Sequence, residues 1–496
     1  MKKIAASLMS AVCMTAAVAQ TNAPATRALS LQDCLTEALK HNFDVRVERY
    51  EPEKSLLSLN AAYAGYDPAF TISGQHQYNV SPSVVSPYST NLVPASVSDN
   101  NSFKSGLGGT LPWGLQYDFN GNISESYGSK AASPFDSSSG NIGVTLTQPL
   151  LKNFWMDGTR LGISAAKNQL KLSEQGLRQQ LITTVTAVEN AFYELIYARE
   201  NLTVEQEALN LAQTQLDQDR RRVQVGSLAP LDVQQDESQV AQSRANLIAA
   251  QFTLASDQNT LKNLITDNYL EWHDVDIAPA ATLEAVRQLF DVQDSWSKGL
   301  AARPDLVQSK LNLEQQGIQL KYDRNQIFPQ LDLTGSYGFN GSGREYNSAF
   351  GQLNEGNSPF YSYGAQLSVP LSNVRARSSL KLDKAVEQQY LLRLKQLEQN
   401  IMVQIDDAVK QAQSAWESVG ATKQARIYAE AALDAEQKKY AVGKSTTFTV
   451  LQLQNNLTSV RSQEIRALAN YNVALANLAQ QEGSTLQRRN LDVLVK

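Results

Sequence analysis

Two stretches of this chain interrupt a long helical pattern in the same way. Arg221–Gln235 reads RRVQVGSLAPLDVQQ, and Lys438–Leu451 reads KKYAVGKSTTFTVL. In each, a helical run stops at Val-Gly, crosses small or polar residues and then resumes helical periodicity. Gly226 and Gly443 stand where a glycine just past a helix end takes the left-handed conformation without a Cβ penalty. Pro230 suits the first turn of the following helix, where its missing N–H costs nothing. Each stretch therefore reads as the tip of a long antiparallel helical hairpin. The corner is made by Val225, Gly226 and Ser227 in one case and by Val442, Gly443 and Lys444 in the other. One copy alone is an ordinary pair of helix ends; two copies in matching context are a repeat.

The repeat extends in both directions. Gly443 lies 217 residues after Gly226, and the same offset aligns Glu189 with Asp406 and Arg244 with Arg461. Nearer the start, an offset of 261 aligns Phe43-Asp44 with Pro304-Asp305, Pro68 with Pro329 and Gly74 with Gly335. The chain reads as a duplication in which each half runs helix, strands, long helix, tip, long helix. Internal repeats of this kind bound the fold before any other argument.

The strand regions change period from 3.6 to 2. In Phe70–Val80, residues Phe70, Ile72, Gly74, His76, Tyr78 and Val80 share one face, and Thr71, Ser73, Gln75, Gln77 and Asn79 the other. Leu115–Ser124, Ile142–Gln148, Leu331–Phe339 and Tyr361–Val369 alternate likewise. An apolar face toward lipid and a polar face toward a wet lumen mark outer-membrane barrel strands. A soluble sandwich also alternates, but the leader and the long helices beside these strands favour the membrane reading. Thr110–Gly114 (TLPWG) is a tight turn, whereas Ser81–Ser102, Tyr127–Ser139 and Asn340–Ser358 read as long polar loops. From Gly74 to Pro149 is 75 residues and from Gly335 to Pro370 only 35, so the first repeat carries 40 more. That surplus holds Phe103–Leu111 and Leu115–Ser124. Two further barrel crossings of ~9–11 residues fit in it, which favours six strands per chain; the rival reading folds this hairpin outside the barrel wall and leaves four.

Helical period returns after Pro149 and Pro370. The long helices are expected over Arg160–Val225, Leu231–Ile265, Ala376–Val442 and Thr447–Gln481. At 1.5 Å per residue the first spans roughly 100 Å. Their apolar stripes are narrow and diluted by Ala, Gln and Asn, as in helices packed side by side into a tube. Leu29–Ala64 reads as a helical pair broken at Asn42, with Ser30 or Asp33 as cap. Thr266–Ala302 reads as a connector with short helices.

Composition sets the remaining bounds. Charged residues are 19% of 496, and the net charge of −5 is dispersed, which leaves no nucleic-acid footprint. His41, His76 and His273 are too scattered to suggest a metal cluster. Residues 1–19 read as a secretory signal: Lys2 and Lys3, an apolar run, then Ala17-Val18-Ala19. Val12 before Cys13 argues against lipidation. Cleavage leaves Cys34 alone, which excludes an internal disulfide. No other apolar run approaches the ~20 residues of a spanning helix, so a membrane crossing has to be a β-barrel. The chain divides as 1–19 signal, 20–69 periplasmic helices, 70–149 strands and 150–266 helical hairpin of the first repeat. It continues as 267–328 connector, 329–370 strands and 371–482 hairpin of the second repeat, and 483–496 tail.

Duplicated halves, strands leading through Pro-Leu into a long helix, and the Val-Gly tips resemble the TolC-type outer-membrane factor family. The most specific pieces are YAVGKSTTFTVLQLQNNL (Tyr440–Leu457), VQVGSLAPLDVQQ (Val223–Gln235) and YNVALANL (Tyr471–Leu478). The resemblance implies an α+β homotrimer in which one outer-membrane β-barrel continues into a periplasmic α-helical barrel. It implies a passive export duct of a tripartite efflux or type I secretion system, with no cofactor and no catalysis. It further implies a periplasmic adaptor that docks on the tips and links the channel to an inner-membrane pump of the RND or ABC type.

The resemblance also implies a gate. A tyrosine just before the inner tip glycine pairs with an aspartate just after the outer tip; Tyr440 and Asp232 occupy these positions. Bare residue chemistry equally allows Asp232 as a helix-start charge and Tyr440 as a packing residue. Aspartates that line the constriction in family members are here Thr449 and Gln452, and a gate arginine is Ser445. A periplasmic coiled-coil protein and a barrel enzyme are the rival classes. The first would not need alternating strands, and no Ser/His/Asp or paired-carboxylate pattern supports the second.

Overall fold

The computed structural model describes residues 26–85, 92–130 and 133–491, so the signal at 1–19 lies outside the described residues. Contacts divide the chain into two compact units. Among the described residues, one draws on 26–43, Thr183–Leu289 and Ala408–Leu478, the other on those within 44–182, Phe290–Asp407 and 479–491.

In the second unit, period-two alternation builds one six-stranded sheet. Its strands are β1 (Ala69–Ser81), β2 (Ser96–Thr110), β3 (Gln116–Lys130), β4 (Ser133–Pro149), β5 (Gln330–Gly343) and β6 (Pro359–Ser368). They lie in the order β6-β5-β4-β3-β2-β1, every pair antiparallel. The register aligns Phe70, Leu107, Phe119, Val144, Tyr337 and Tyr361 in one row across all six strands. The next row is Thr71, Gly106, Asn120, Gly143, Gly338 and Phe360. A slip of one residue would exchange the two faces, so the alternation itself fixes the pairing. The two strands in the surplus between Gly74 and Pro149, β2 and β3, are full members of this sheet. Their turn closes through Leu111 N to Leu115 O at 2.8 Å and Gly114 N to Leu111 O at 2.8 Å. Arg160 clamps it from the following helix, donating to Pro112 O from Nε and Nη2 at 3.0 and 2.7 Å.

The expected loops are shorter than the sequence suggested. Pairing between β3 and β4 continues to Lys130 opposite Ser133, and β2 already starts at Ser96. Serine and asparagine read as loop because their side chains favour water, and glycine because it has none to pack, yet their backbone groups serve a ladder as well as any. A small hairpin, Val84–Val85 with Leu92–Val93, lies between β1 and β2. Asn340–Ser358 contains a helix, Tyr346–Glu355, ended by Gly356 at φ 65°. It packs on the apolar face: the Tyr346 ring lies 6.1 Å from that of Phe103, and its hydroxyl donates to Asn101 O at 3.1 Å.

Four long helices follow the two strand sets: α1 (Gly158–Gln224), α2 (Pro230–Ile265), α3 (Val374–Ala441) and α4 (Thr447–Glu482). They begin and end within two residues of the expected bounds. α1 buries Leu177, Leu181, Val185, Val188, Phe192 and Leu195, a stripe at spacings of three and four. No described helix is long and apolar enough to cross a membrane.

In the first unit, Leu31–His41 starts with a capping box in which Ser30 and Asp33 both take part. Asn42 ends that helix and donates from Nδ2 to Leu264 O at 3.1 Å. The connector holds a helix, Tyr269–Trp272, and a strand, Asp276–Pro279, parallel to Thr26–Leu29. Neither strand was legible, each being four residues with no alternation. In the second unit, Val292–Ala302 packs on α3, with Trp296 Nε1 donating to Met402 O at 3.1 Å.

A Cβ at Gly341 would overlap Ala349 O and come within 2.8 Å of Leu353. Gly341→Val therefore costs ~1–3 kcal/mol and lifts the Tyr346–Glu355 helix from the sheet. Faster proteolysis within residues 346–355, with the rest of the chain still protected, is the expected result.

Candidate functional site

The two hairpin tips close by the same hydrogen bonds. Gly226 N donates to Val223 O and Ser227 N to Arg222 O, both at 2.9 Å. At the second tip, Gly443 N donates to Tyr440 O at 3.1 Å and Lys444 N to Lys439 O at 2.9 Å. The glycines have φ of 76° and 74°, the left-handed closure that satisfies the last carbonyls of a helix. Their surroundings are open, since a Cβ at either would meet nothing within 4 Å. Val225 and Leu231 at one tip, and Val442 and Phe448 at the other, are exposed. Lys439 and Ser445 both donate to Glu436 and hold its carboxyl below the usual range.

Behind the tips lies a buried polar cluster. The Tyr440 hydroxyl is 2.8 Å from both Asp219 oxygens and 2.9 Å from Thr447 Oγ1. A phenol has one proton, so the bond to the carboxylate uses it and Thr447 donates in return. Burial pushes the Tyr440 phenol up; Thr447 opposes that and the Asp219 carboxylate adds to it. The phenol therefore stays protonated and remains a donor. Gln215 Nε2 also donates to Asp219, at 2.7 Å. The Arg222 guanidinium lies 4.5 Å over the Tyr440 ring and 3.7 Å from Asp219. Leu433, Val450 and Leu457 pack around the tyrosine. Asp236, on α2, is 1% exposed. Burial, then the facing Asp219 carboxylate, then Asp232 push its carboxyl up to about 7.

The sequence expectation was that Tyr440 would pair with Asp232. Within the chain its hydroxyl goes to Asp219 instead, seven residues before Gly226. Asp219 continues the buried stripe of α1 toward the tyrosine, whereas Asp232 sits half-buried in the first turn of α2. There its charge suits the positive end of the helix. Thr449 is half-buried and its hydroxyl meets Thr446 Oγ1 at 3.0 Å, while Gln452 is exposed. Neither joins the Tyr440 cluster.

Sequence reasoning missed Asp219 and Asp236, although a signal was present. Ala212, Leu216 and Asp219 follow helical spacing on one side, and Asp236, Ser243, Leu247 and Ala250 on the other. An acidic residue in register with a core stripe is a buried charge, and a buried charge needs a partner. Among the described residues no group of three or more His, Cys, Asp or Glu could hold a metal.

The sequence profile of the family described as "Outer membrane efflux protein" matches residues 34–266 and 296–484. The outer membrane efflux protein BepC of Brucella suis is 24% identical over 342 residues, covering 68% of this chain and 71% of that protein. The outer membrane protein TolC of Vibrio cholerae is 24% identical over 374 residues, covering 71% and 78%. Among solved structures, the CmeC outer membrane channel of Campylobacter jejuni matches with a TM-score of 0.68 at 16% identity, over 92% of this chain and 86% of that one. VceC of Vibrio cholerae matches at 0.66 and 16%, over 91% and 96%. At such identities the structural likeness speaks for the fold.

Tyr440→Phe deletes the donor to a buried carboxylate and should loosen the hairpins by ~1–3 kcal/mol. Asp232→Ala should cost less, ~0.3–1 kcal/mol, the loss of a charge at the helix start. Amide hydrogen exchange across residues 212–236 measures both, and equal effects would return the tyrosine's partner to Asp232.

Proposed function

The chain belongs to the outer membrane efflux protein family and is an outer-membrane efflux channel, and from that premise we propose that it acts as a passive homotrimeric duct. The observation that carries the reading is the sheet. One face bears Phe70, Ile72, Phe119, Tyr337, Tyr361 and Tyr363, all exposed in the single chain. The other bears chiefly Ser, Thr, Asn, Gln and Gly, with Phe135 and Phe360 as apolar exceptions. A continuous apolar face of this extent fits lipid, and the polar face fits a water-filled lumen. β1 and β6 are edges, and an open edge cannot stand in hydrocarbon, because its unpaired backbone groups cost several kcal/mol each. Copies of the chain must therefore close it. Three copies of six strands give eighteen, β1 of one protomer meeting β6 of the next.

Residues 70–149 and 329–370 cross the outer membrane; the hairpins at 150–266 and 371–482, with 20–69 and 267–328, lie in the periplasm. The tips, Val225-Gly226-Ser227 and Val442-Gly443-Lys444, receive a periplasmic adaptor, which links the duct to an RND or ABC pump. Their exposed valines, with Leu231 and Phe448, supply an apolar docking patch. Tyr440, tied to Asp219, holds the entrance closed. Asp232, Thr449 and Gln452 border that entrance, the last two without the negative charge of an acidic ring.

Two measurements test this. A β-branched residue at φ 74° is strained by ~1–2 kcal/mol, so Gly443→Val should lose efflux and adaptor cross-linking while trimers still assemble. Normal efflux in that variant removes the tips from the docking site. For the barrel, single cysteines at Phe119 and Asn120 in a Cys34→Ser background should differ. Phe119→Cys reacts with a lipid-soluble reagent and Asn120→Cys with an aqueous one entering the lumen. Equal aqueous labelling of both places β2 and β3 outside the wall.

A further inference from the structure

Asp236 poses a problem of bond accounting. It is 1% exposed, and neither of its carboxylate oxygens has a hydrogen-bond partner, although Asp219 faces it from α1. Two ionised carboxylates offer each other only lone pairs, and burying both without a donor between them is strongly unfavourable. One proton removes the difficulty: a protonated Asp236 donates to Asp219. Asp219 in turn accepts Tyr440 and Gln215.

We propose that Asp219 and Asp236 hold one proton between them behind the hairpin tips, and that its release to water unties the Tyr440 contact and opens the entrance. The groups facing the pair agree with a proton rather than a metal cation. Asp219 and Arg222 come from α1, Tyr440 from α3 and the uncharged Thr447 from α4; Asp232 lies one turn away on α2 itself. The Arg222 guanidinium already stands beside Asp219, which disfavours a second positive ion there. Arg220 and Glu237 neutralise each other at the exposed side, 2.8 Å apart.

The sign follows from which state keeps the proton. The closed tip binds it and the opened, solvated tip does not, so closure strengthens as pH falls and weakens as pH rises. With Asp236 at about 7 when closed and near ~3.9 when solvated, the closed-to-open ratio falls about tenfold per protomer from pH ~6 to pH ~8. The O–H bond of Asp236 breaks, its electron pair stays on the carboxylate and the proton passes to water.

The coupling to opening rests on the reading of Tyr440 as a closure residue; the shared proton does not, and two measurements separate them. Infrared difference spectra of the full-length trimer between pH ~6 and ~8 should show a protonated-carboxyl band that is lost in Asp236→Asn. Asp219→Asn, the reciprocal isostere, should lose it as well. Because Asp323 is another raised carboxyl, at about 6 beside Asp383, the spectra are taken in an Asp323→Asn background. In planar bilayers, wild-type conductance should rise across the same pH range, and Asp236→Asn should stay at its low-pH level throughout. Absence of the band, or a band unchanged in both variants, overturns the shared proton. A band without any pH response of conductance overturns the coupling and leaves the proton in place. A pH response abolished by a chelator would mean a metal cation holds the pair, and would overturn the proposal.

Discussion

The backbone ladder of the six strands is the constraint on which the rest depends. Within the sheet every strand is matched, but β1 and β6 each present an unpaired edge. In water such an edge is a liability; in hydrocarbon it is excluded. A sheet with one apolar face and two open edges is therefore an incomplete object, which is the ground on which we propose that further copies complete it. The helix Tyr346–Glu355 reinforces one part of the apolar face, but it covers no edge.

The helical hairpins obey a different rule. Their stripes are narrow, so burial per residue is modest, and polar contacts bear more of the specificity. Arg461 reaches Glu430 and Glu207, both at 3.0 Å, and Arg466 pairs with Glu194 while its guanidinium stacks on Tyr197 at 3.6 Å. Such pairs fix which helix faces lie together, and being partly solvated they avoid the full desolvation penalty of a buried ion pair. Near the tips the same stripe positions are occupied by Asp219 and Asp236, and there solvent is excluded. A polar layer in a core stripe is stable only when every donor and acceptor is matched. That makes this layer sensitive to a single proton, where a leucine layer would not be.

The sequence by itself determined the elements and their periodicity. Helix ends were legible because Gly226, Gly443 and Pro230 have conformational requirements that belong to the residue, not to its surroundings. The sheet faces were legible because Phe70–Val80 and Leu115–Ser124 alternate without a break. The surplus between Gly74 and Pro149, together with the alternation of Leu115–Ser124, announced β2 and β3. Tertiary structure decided what depends on neighbours distant in the chain. Four-residue strands at Thr26–Leu29 and Asp276–Pro279 exist only because they find each other. The ladder between β3 and β4 continues through serine and glycine because its partner strand is already in place. Tyr440 chose Asp219 over Asp232 for the same reason: hydrogen bonds are made across space, between helix faces whose register no local pattern encodes. A residue's spacing told which face it occupies, but only packing told which carboxylate that face would meet.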